Sequence, residues 1–256
     1  MGFTRPNVSR VHNALLGGHD NYAADRELAG RLTEICPGLP GALRDSRAFI
    51  ARAAEWAARQ GIRQFADLGT GLPTHPSAAR AARAVMPSVR VVYVDNDPIV
   101  TAHVRALLVT DGGGSASVGA DVTDPAAVLA DPAWLGLIDM AEPACLIFGL
   151  VLNLMPARQA REVVAAYAGR AAPSSYVVIS CGRCDDEALW DQLREAYTAA
   201  DVHNHTPVEL AGFLAGLELV PPGLVAAQSW RGGWHDAPVT PPGPAYVLAG
   251  VAGKPG

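Results

Sequence analysis

Three short motifs built around aspartate could do chemistry in this 256-residue chain. Asp67-Leu68-Gly69-Thr70-Gly71 sets a carboxylate beside two glycines. One glycine allows a sharp turn, and a second lets a ligand come close to the backbone. In Val94-Asp95-Asn96-Asp97-Pro98, the Asp95 carboxylate can accept hydrogen bonds from both ribose hydroxyls of an adenosine. It would also repel a 2′-phosphate, which argues against NADP. Asp95 or Asp97 could instead cap a helix that starts at Pro98, and the roles are compatible, with Asp95 on ribose and Asp97 capping. In Ala120-Asp121-Val122-Thr123-Asp124-Pro125, Asp121 can accept from an adenine amino group while the Val122 amide meets a ring nitrogen. The alternative there is a turn and N-cap cluster before Pro125.

The elements around these motifs follow from periodicity. Gln64 to Leu68 and Arg90 to Val94 read as strands, and the second is apolar enough to be buried on both faces. Further strands are expected at Ser115 to Gly119, Ala144 to Phe148 and Tyr176 to Ser180. Helical stretches separate them at His75 to Met86, Pro98 to Val109, Pro125 to Ala130 and Ala157 to Ala172. This alternation predicts an α/β fold with a mostly parallel sheet covered by helices. Two more helices follow Asp185, one to Ala200 and one from Pro207 to Ala215, with Thr206 as N-cap. Strands at Leu217 to Val220 and Ala245 to Val251 close the chain, joined by a Pro/Gly-rich loop between Ser229 and Pro244. Seven strands ending in such a pair differ from the six-stranded dehydrogenase order.

Residues 1–61 read as a helical N-terminal extension or lid, and 62–256 as a Rossmann-like domain, the two forming one globular unit. Helices are expected at Asn7 to Leu16, from an Asp20 cap to about Ile35, and from Pro40 to Gln60. Gly17-Gly18 breaks the first from the second.

Half of the residues are hydrophobic and 18% are charged, with a net charge of −5. A chain this long needs no disulfide or structural metal to fold. No Lys/Arg-rich run marks a nucleic-acid or anionic-membrane surface. No stretch approaches the roughly 20 apolar residues of a membrane span, and the first ten residues lack an apolar signal region. Four scattered cysteines suit a reducing cytoplasm.

The chain resembles the class I methyltransferases, and more closely a family of actinobacterial proteins described as S-adenosyl methyltransferases, formerly a domain of unknown function. The resemblance spans nearly the whole chain. It includes Leu15-Leu16-Gly17-Gly18-His19-Asp20-Asn21-Tyr22-Ala23-Ala24-Asp25-Arg26, Gln64 to Thr74, Val92 to Pro98, Leu217 to Val220 and Val225 to Arg231. It implies a Rossmann-like seven-stranded sheet, S-adenosyl-L-methionine as cofactor, and methyl transfer to a small-molecule acceptor. Asp67 would face the amino group of the methionine part, and Gly69 and Gly71 would let that part pass over the loop. Asp95 would hold the ribose, and Asp121 with Val122 the adenine. Thr70 and Asn96, in the same motifs, join the expected cofactor set.

The segment from His19 to Arg26 is expected to close over the cofactor and form one wall of the acceptor pocket. That adds Asp20, Asn21 and Tyr22 to the cofactor set. His19, Tyr22 and Asn153 are the catalytic candidates. Asn153 marks a departure, because small-molecule methyltransferases of this kind place a His in a Val-Leu-His type motif, whereas this chain has Val151-Leu152-Asn153. Asn cannot act as a general base. Either proximity and orientation suffice, another group takes the proton, or catalysis is impaired. Asn153 could also be a loop residue that bonds backbone. A non-catalytic binding module is therefore the second reading. An NAD-dependent oxidoreductase is disfavoured, because Gly69, Gly71 and Thr74 give G-x-G-x-x-T without the third glycine.

Cys181-Gly182-Arg183-Cys184 lacks the further ligands of a zinc site, so no metal is expected. His203-Asn204-His205 reads as a solvated loop before a helix. Trp56 could approach a sulfonium through a cation–π contact, though core packing is its default.

Overall fold

A computed structural model describes residues 4–108, 114–231 and 243–256. Its helices begin with α1 (Val8–Leu15), α2 (Ala23–Ile35) and α3 (Leu39–Arg59). Strand and helix then alternate: β1 (Gln64–Leu68), α4 (Ala78–Val85), β2 (Arg90–Val94), α5 (Pro98–Leu108) and β3 (Ser115–Val118). Two short helices, α6 (Pro125–Ala130) and α7 (Pro132–Leu135), lead to β4 (Cys145–Gly149). A 3-10 turn (Val151–Leu154), α8 (Ala157–Arg170), β5 (Tyr176–Cys184), α9 (Glu187–Ala196) and α10 (Pro207–Phe213) follow. The chain ends in β6 (Glu218–Leu219), β7 (Val225–Ala226), a second 3-10 turn (Ala227–Ser229) and β8 (Ala245–Gly253).

The strands form one sheet in the order β3-β2-β1-β4-β5-β8-β6, with β7 also paired to β8. The pairings among β1 to β5 are parallel, and β8 runs antiparallel to its three neighbours. From β1 the chain proceeds outward to β3, then returns to place β4 on the other side of β1. Such a reversal opens a crevice at the carboxyl ends of β1 and β4.

Two expectations change at the sheet's end. The strand expected at Leu217 to Val220 is present as the two-residue β6, and a further two-residue strand, β7, follows it, so the described residues hold eight strands, not seven. Pro221 and Pro222 stand between them, and proline has no amide hydrogen to give to a ladder. β5 also runs four residues past Ser180, because β8 continues to pair with it up to Cys184↔Ala245. The stretch 232–242 of the expected Ser229–Pro244 loop, and Val109 at the end of an expected helix, lie outside the described residues.

One face of the sheet buries Phe65, Val91, Cys145, Ile147 and Val178 against Phe49, Ala53, Ala54 and Ala57 of α3. The small residues of α3 let it lie close on the strands, while Leu39 to Ile50 reach toward the crevice. The other face packs Leu68, Val94, Leu146 and Phe148 against Val163, Val164 and Tyr167 of α8. The carboxyl end of α8 leaves carbonyls without helical partners. The chain's one lysine, Lys254, donates to Ala168 O, Gly169 O and Ala171 O at 3.0, 3.1 and 2.6 Å.

Helices α1 and α2 build a separate apolar cluster with Leu43 and with Leu193 of α9. A buried ion pair fixes their crossing: Arg10 Nε donates to Asp25 Oδ2 at 2.7 Å. Asp25 also accepts from the amides of Asn7 and Tyr22 at 2.9 and 2.8 Å. This corrects the expected Asp20 cap, since Tyr22 begins α2 and Asp25 supplies its carboxylate. An acid in the first turn can reach back to the cap amide, which an exposed loop acid two residues earlier does not do here.

Candidate active site

β1 ends in the turn that carries Gly69 and Gly71, both at positive φ (72° and 64°). A Cβ on Gly69 would lie 2.5 Å from a methyl of Val151, so the turn and the segment after β4 can meet only through glycine. The amides of Gly69 and Thr70 both donate to Val94 O, which folds the turn back onto β2. At the end of β2, Asp95 accepts from the Gly71 amide with one oxygen and from the Asp97 amide with the other, each at 2.9 Å. Each oxygen keeps a lone pair for a further donor. Asp97 caps α5 through the Ile99 amide at 2.7 Å. Asp121 Oδ1 accepts from the amide and hydroxyl of Thr123, and Asp121 Oδ2 accepts from Asn96 Nδ2 at 3.1 Å.

The three aspartates sit in different electrostatic settings. Burial pushes the Asp67 carboxyl up, opposed by the Arg47 guanidinium and a 3.1 Å hydrogen bond from Thr70 Oγ1. Burial also raises Asp95, against the bonds from Asp97 and Gly71. Burial works against ionised Asp121 too, but its bonds from Thr123 and Asn96 hold it below the usual carboxylate range.

Asp95, Asn96, Asp121, Val122, Gly69, Thr70 and Gly71 all line one cavity of about 500 Å³, and Asp67 is buried beneath it. Sequence reasoning missed the opposite wall, which comes from α1 and α3: Ser9, His12, Leu15, Leu43, Ser46 and Arg47. Arg47 Nη2 lies 3.7 Å from where a Gly71 Cβ would stand, and Ser9 Oγ 3.8 Å. Among the described residues the Arg47 guanidinium makes no hydrogen bond; burial lowers its pKa and Asp67 opposes that shift. Burial first, then Arg47, holds the His12 imidazole down at about 3, and its Nε2 has no partner. The sequence signal for these residues was the i, i+3 spacing of Ser9, His12 and Leu15 on one helix face.

His19, Asp20, Asn21 and Tyr22 are not brought to the cavity. Asn21 Nδ2 donates to Asn13 Oδ1 and Gly18 O, closing the α1–α2 turn on itself. Tyr22 is 39% exposed beneath the Arg10 guanidinium, 5.2 Å from its ring centroid. The expected lid segment therefore stands outside, and the wall it was meant to form is α1.

Asn153 lines the cavity, but its side chain is committed elsewhere. Nδ2 donates to Gly182 O and His203 O at 2.9 and 2.8 Å, and Oδ1 accepts from the Gly182 amide at 2.7 Å. It clips the turn after β4 to the end of β5 and to the 201–205 segment. That segment is not a solvated loop. His205 is buried, with Nε2 2.9 Å from Leu152 O, and Asn204 bonds both backbone groups of Cys184. Its polar groups are met by backbone, which permits burial. Trp56 packs edge-on against Tyr176 and Trp230, away from the cavity. Cys181 and Cys184, three apart on β5, face opposite sides of the sheet.

The family model for S-adenosyl methyltransferase matches residues 1–255. The chain belongs to the S-adenosyl methyltransferase family. A Thermobifida fusca protein, provisionally assigned as a methyltransferase, is 35% identical with a TM-score of 0.90, over 99% of this chain and 97% of its own. A DUF574 family protein of Streptomyces avermitilis is 33% identical with a TM-score of 0.91, over 98% of each chain. The magnesium protoporphyrin IX methyltransferase of Synechocystis, solved with bound SAH, shares the fold at 10% identity, with a TM-score of 0.54 over 95% of this chain and 92% of its own. No curated protein matches. This methyltransferase depends on S-adenosylmethionine, and its cavity fits that group. The glycine turn leaves the cradle free of side chains, Asp95 keeps two acceptor positions, and Arg47 makes no hydrogen bond to a described residue.

Proposed function

We propose that this methyltransferase acts on a small molecule, held in the same cavity as S-adenosylmethionine. The carrying observation is continuity: the residues of the glycine turn, β2 end and Asp121 loop share one cavity with the walls built by α1, α3 and α9. Its volume of about 500 Å³ is that of a small-ligand site. No helix among the described residues is long and apolar enough to cross a membrane.

Asp95 takes both ribose hydroxyls, and Asp121 with the Val122 amide takes the adenine. Asp67 meets the methionine ammonium and Arg47 the methionine carboxylate, so the two buried charges are each relieved by the opposite end of one zwitterion. S-adenosylmethionine supplies the electrophilic methyl group. The protein's part is to fix the donor against the acceptor and to keep water out, and orientation of this kind can supply a large part of a displacement barrier. Asn153 takes no proton, because its amide is neither basic nor free.

Calorimetry tests this reading. SAH should bind with 1:1 stoichiometry and NAD should not. Asp95→Ala should raise the SAH dissociation constant about tenfold or more, since charge-assisted hydrogen bonds contribute about 1.5–3 kcal/mol each. Asp97→Ala should instead cost about 1 kcal/mol of helix stability. Small, equal effects of the two substitutions on affinity would remove Asp95 from the site.

A further inference from the structure

Beyond the cofactor residues the cavity changes character. Ser9 lies over the glycine turn, and Leu15, six residues further along the same face of α1, lies about 9 Å away at the helical rise. There Leu15 joins Leu32, Leu39, Leu43, Leu193 and Tyr197, all lining the cavity, in an apolar compartment between α1, α2, α3 and α9.

The charges bordering this compartment are already answered. Arg183 pairs with Asp185 at 2.7 Å and donates to His205 O at 3.1 Å, so its charge is met, while its buried Nε keeps one N–H for a neutral acceptor. Arg47 faces Asp67 across the glycine turn. His12, between the turn and the compartment, is held neutral. Asn153 is saturated by backbone. The Cys184 thiol donates a hydrogen bond to Asp186 O at 3.3 Å. The Tyr197 hydroxyl is kept protonated by burial, pushed up to about 12, and makes no hydrogen bond to a described residue.

A charged acceptor placed here would lose its hydration without gaining a counter-ion, a loss of several kcal/mol per ion. A neutral body loses nothing comparable and gains apolar burial. An aliphatic amine would enter as a cation at neutral pH and meets the same penalty. We propose that the acceptor is an uncharged, largely apolar molecule bearing a hydroxyl group, with its body among Leu15, Leu32, Leu39, Leu43 and Leu193 and the Tyr197 hydroxyl as its polar contact. On transfer the methyl–sulfur bond breaks as the methyl–oxygen bond forms, SAH is the leaving group, and the hydroxyl proton is released to bulk water. This assignment rests on the donor being bound at Asp67 and Asp95 as above.

Three probes with one bicyclic body separate the alternatives on the full chain loaded with SAH: 1-naphthol, 1-naphthoate and 1-naphthylmethylammonium, each titrated by calorimetry. The neutral naphthol should bind 1:1, and both ions at least tenfold more weakly. Leu39→Trp or Leu43→Trp, which fill the compartment, should abolish naphthol binding while the SAH dissociation constant stays within twofold. Retained SAH binding also shows that the variants fold. Tyr197→Phe should weaken naphthol several-fold and leave SAH unchanged. The inference is overturned if either ion binds as tightly as naphthol, if naphthol fails to bind the SAH-loaded chain, or if both Trp variants keep naphthol. A chain that binds no SAH at all would instead overturn the donor site.

Discussion

Burial sets the charge state of the residues around the glycine turn, and it does so in opposite senses for histidine and aspartate. His12 titrates at about 3 in the folded chain against an ordinary 6.5. Between these values the unfolded chain holds the extra proton, so stability is lost as pH falls, by up to about 1.4 kcal/mol per pH unit. Urea denaturation from pH 7 to pH 4 should show this slope, and His12→Gln should flatten it. An unchanged slope would mean that His12 is not held neutral. Asp67 and Asp95 are raised above the ordinary 3.8. In the window just above 3.8 the ligand-free fold therefore holds extra protons, and it gains stability as pH falls. If Asp67 and Asp95 hold SAH as proposed, both must be ionised in the complex, so binding there should release protons. Its affinity should climb as pH rises through that window and then level off. Calorimetry in two buffers of different ionisation enthalpy reads the proton count directly, and proton uptake would contradict the assignment.

At the scale of elements, the position after β4 was a candidate for chemistry, and its side chain acts as a clip. Asn153 makes three side-chain hydrogen bonds to backbone groups of Gly182 and His203. Asn153→Ala would strand the Gly182 amide and loosen two segments. A cost of about 3 kcal/mol is expected, or roughly 6–12 °C in melting temperature. SAH affinity of the folded protein should stay within twofold. A variant that melts normally yet transfers no methyl would return Asn153 to catalysis. Lys254 serves α8 in a similar way, and Lys254→Ala should cost on the order of 1–2 kcal/mol by exposing carbonyls that the helix cannot satisfy.

At the scale of the whole molecule, the cavity is closed by α1 and the first turns of α3, with the turn between α1 and α2 on the outside. Hydrogen exchange should then slow at residues 8–15 and 67–71 when SAH binds and stay unchanged at 19–26. Tyr22→Ala should leave SAH affinity within twofold. Protection at 19–26, or a tenfold loss with Tyr22→Ala, would restore the lid to that segment. Arg10 and Asp25 hold α1 in place from a distance. Because Asp25→Ala would leave Arg10 buried without a partner, it should cost about 3–5 kcal/mol and loosen the cavity wall.

The chain by itself determined the alternation of strands and helices, the glycine turn after β1 and the acid after β2. Each is a local matter: a run of apolar residues, a backbone angle that glycine reaches, a carboxylate one strand-length further on. The same locality explains Thr206, whose cap reaches only to Glu209. Tertiary structure decided what no local pattern encodes. Arg47 and His12 come to line the cavity only because α3 and α1 pass beside the glycine turn. Asn153 and His205 lose their apparent chemical freedom because distant backbone groups at Gly182, His203 and Leu152 claim their side chains. The prolines after β6 show why that strand stops at Leu219, since a ladder needs a donor at each bonded position and proline has none. Which polar group is left free to meet a ligand depends on every neighbour the fold supplies, so only the folded chain separates a catalytic asparagine from a clip.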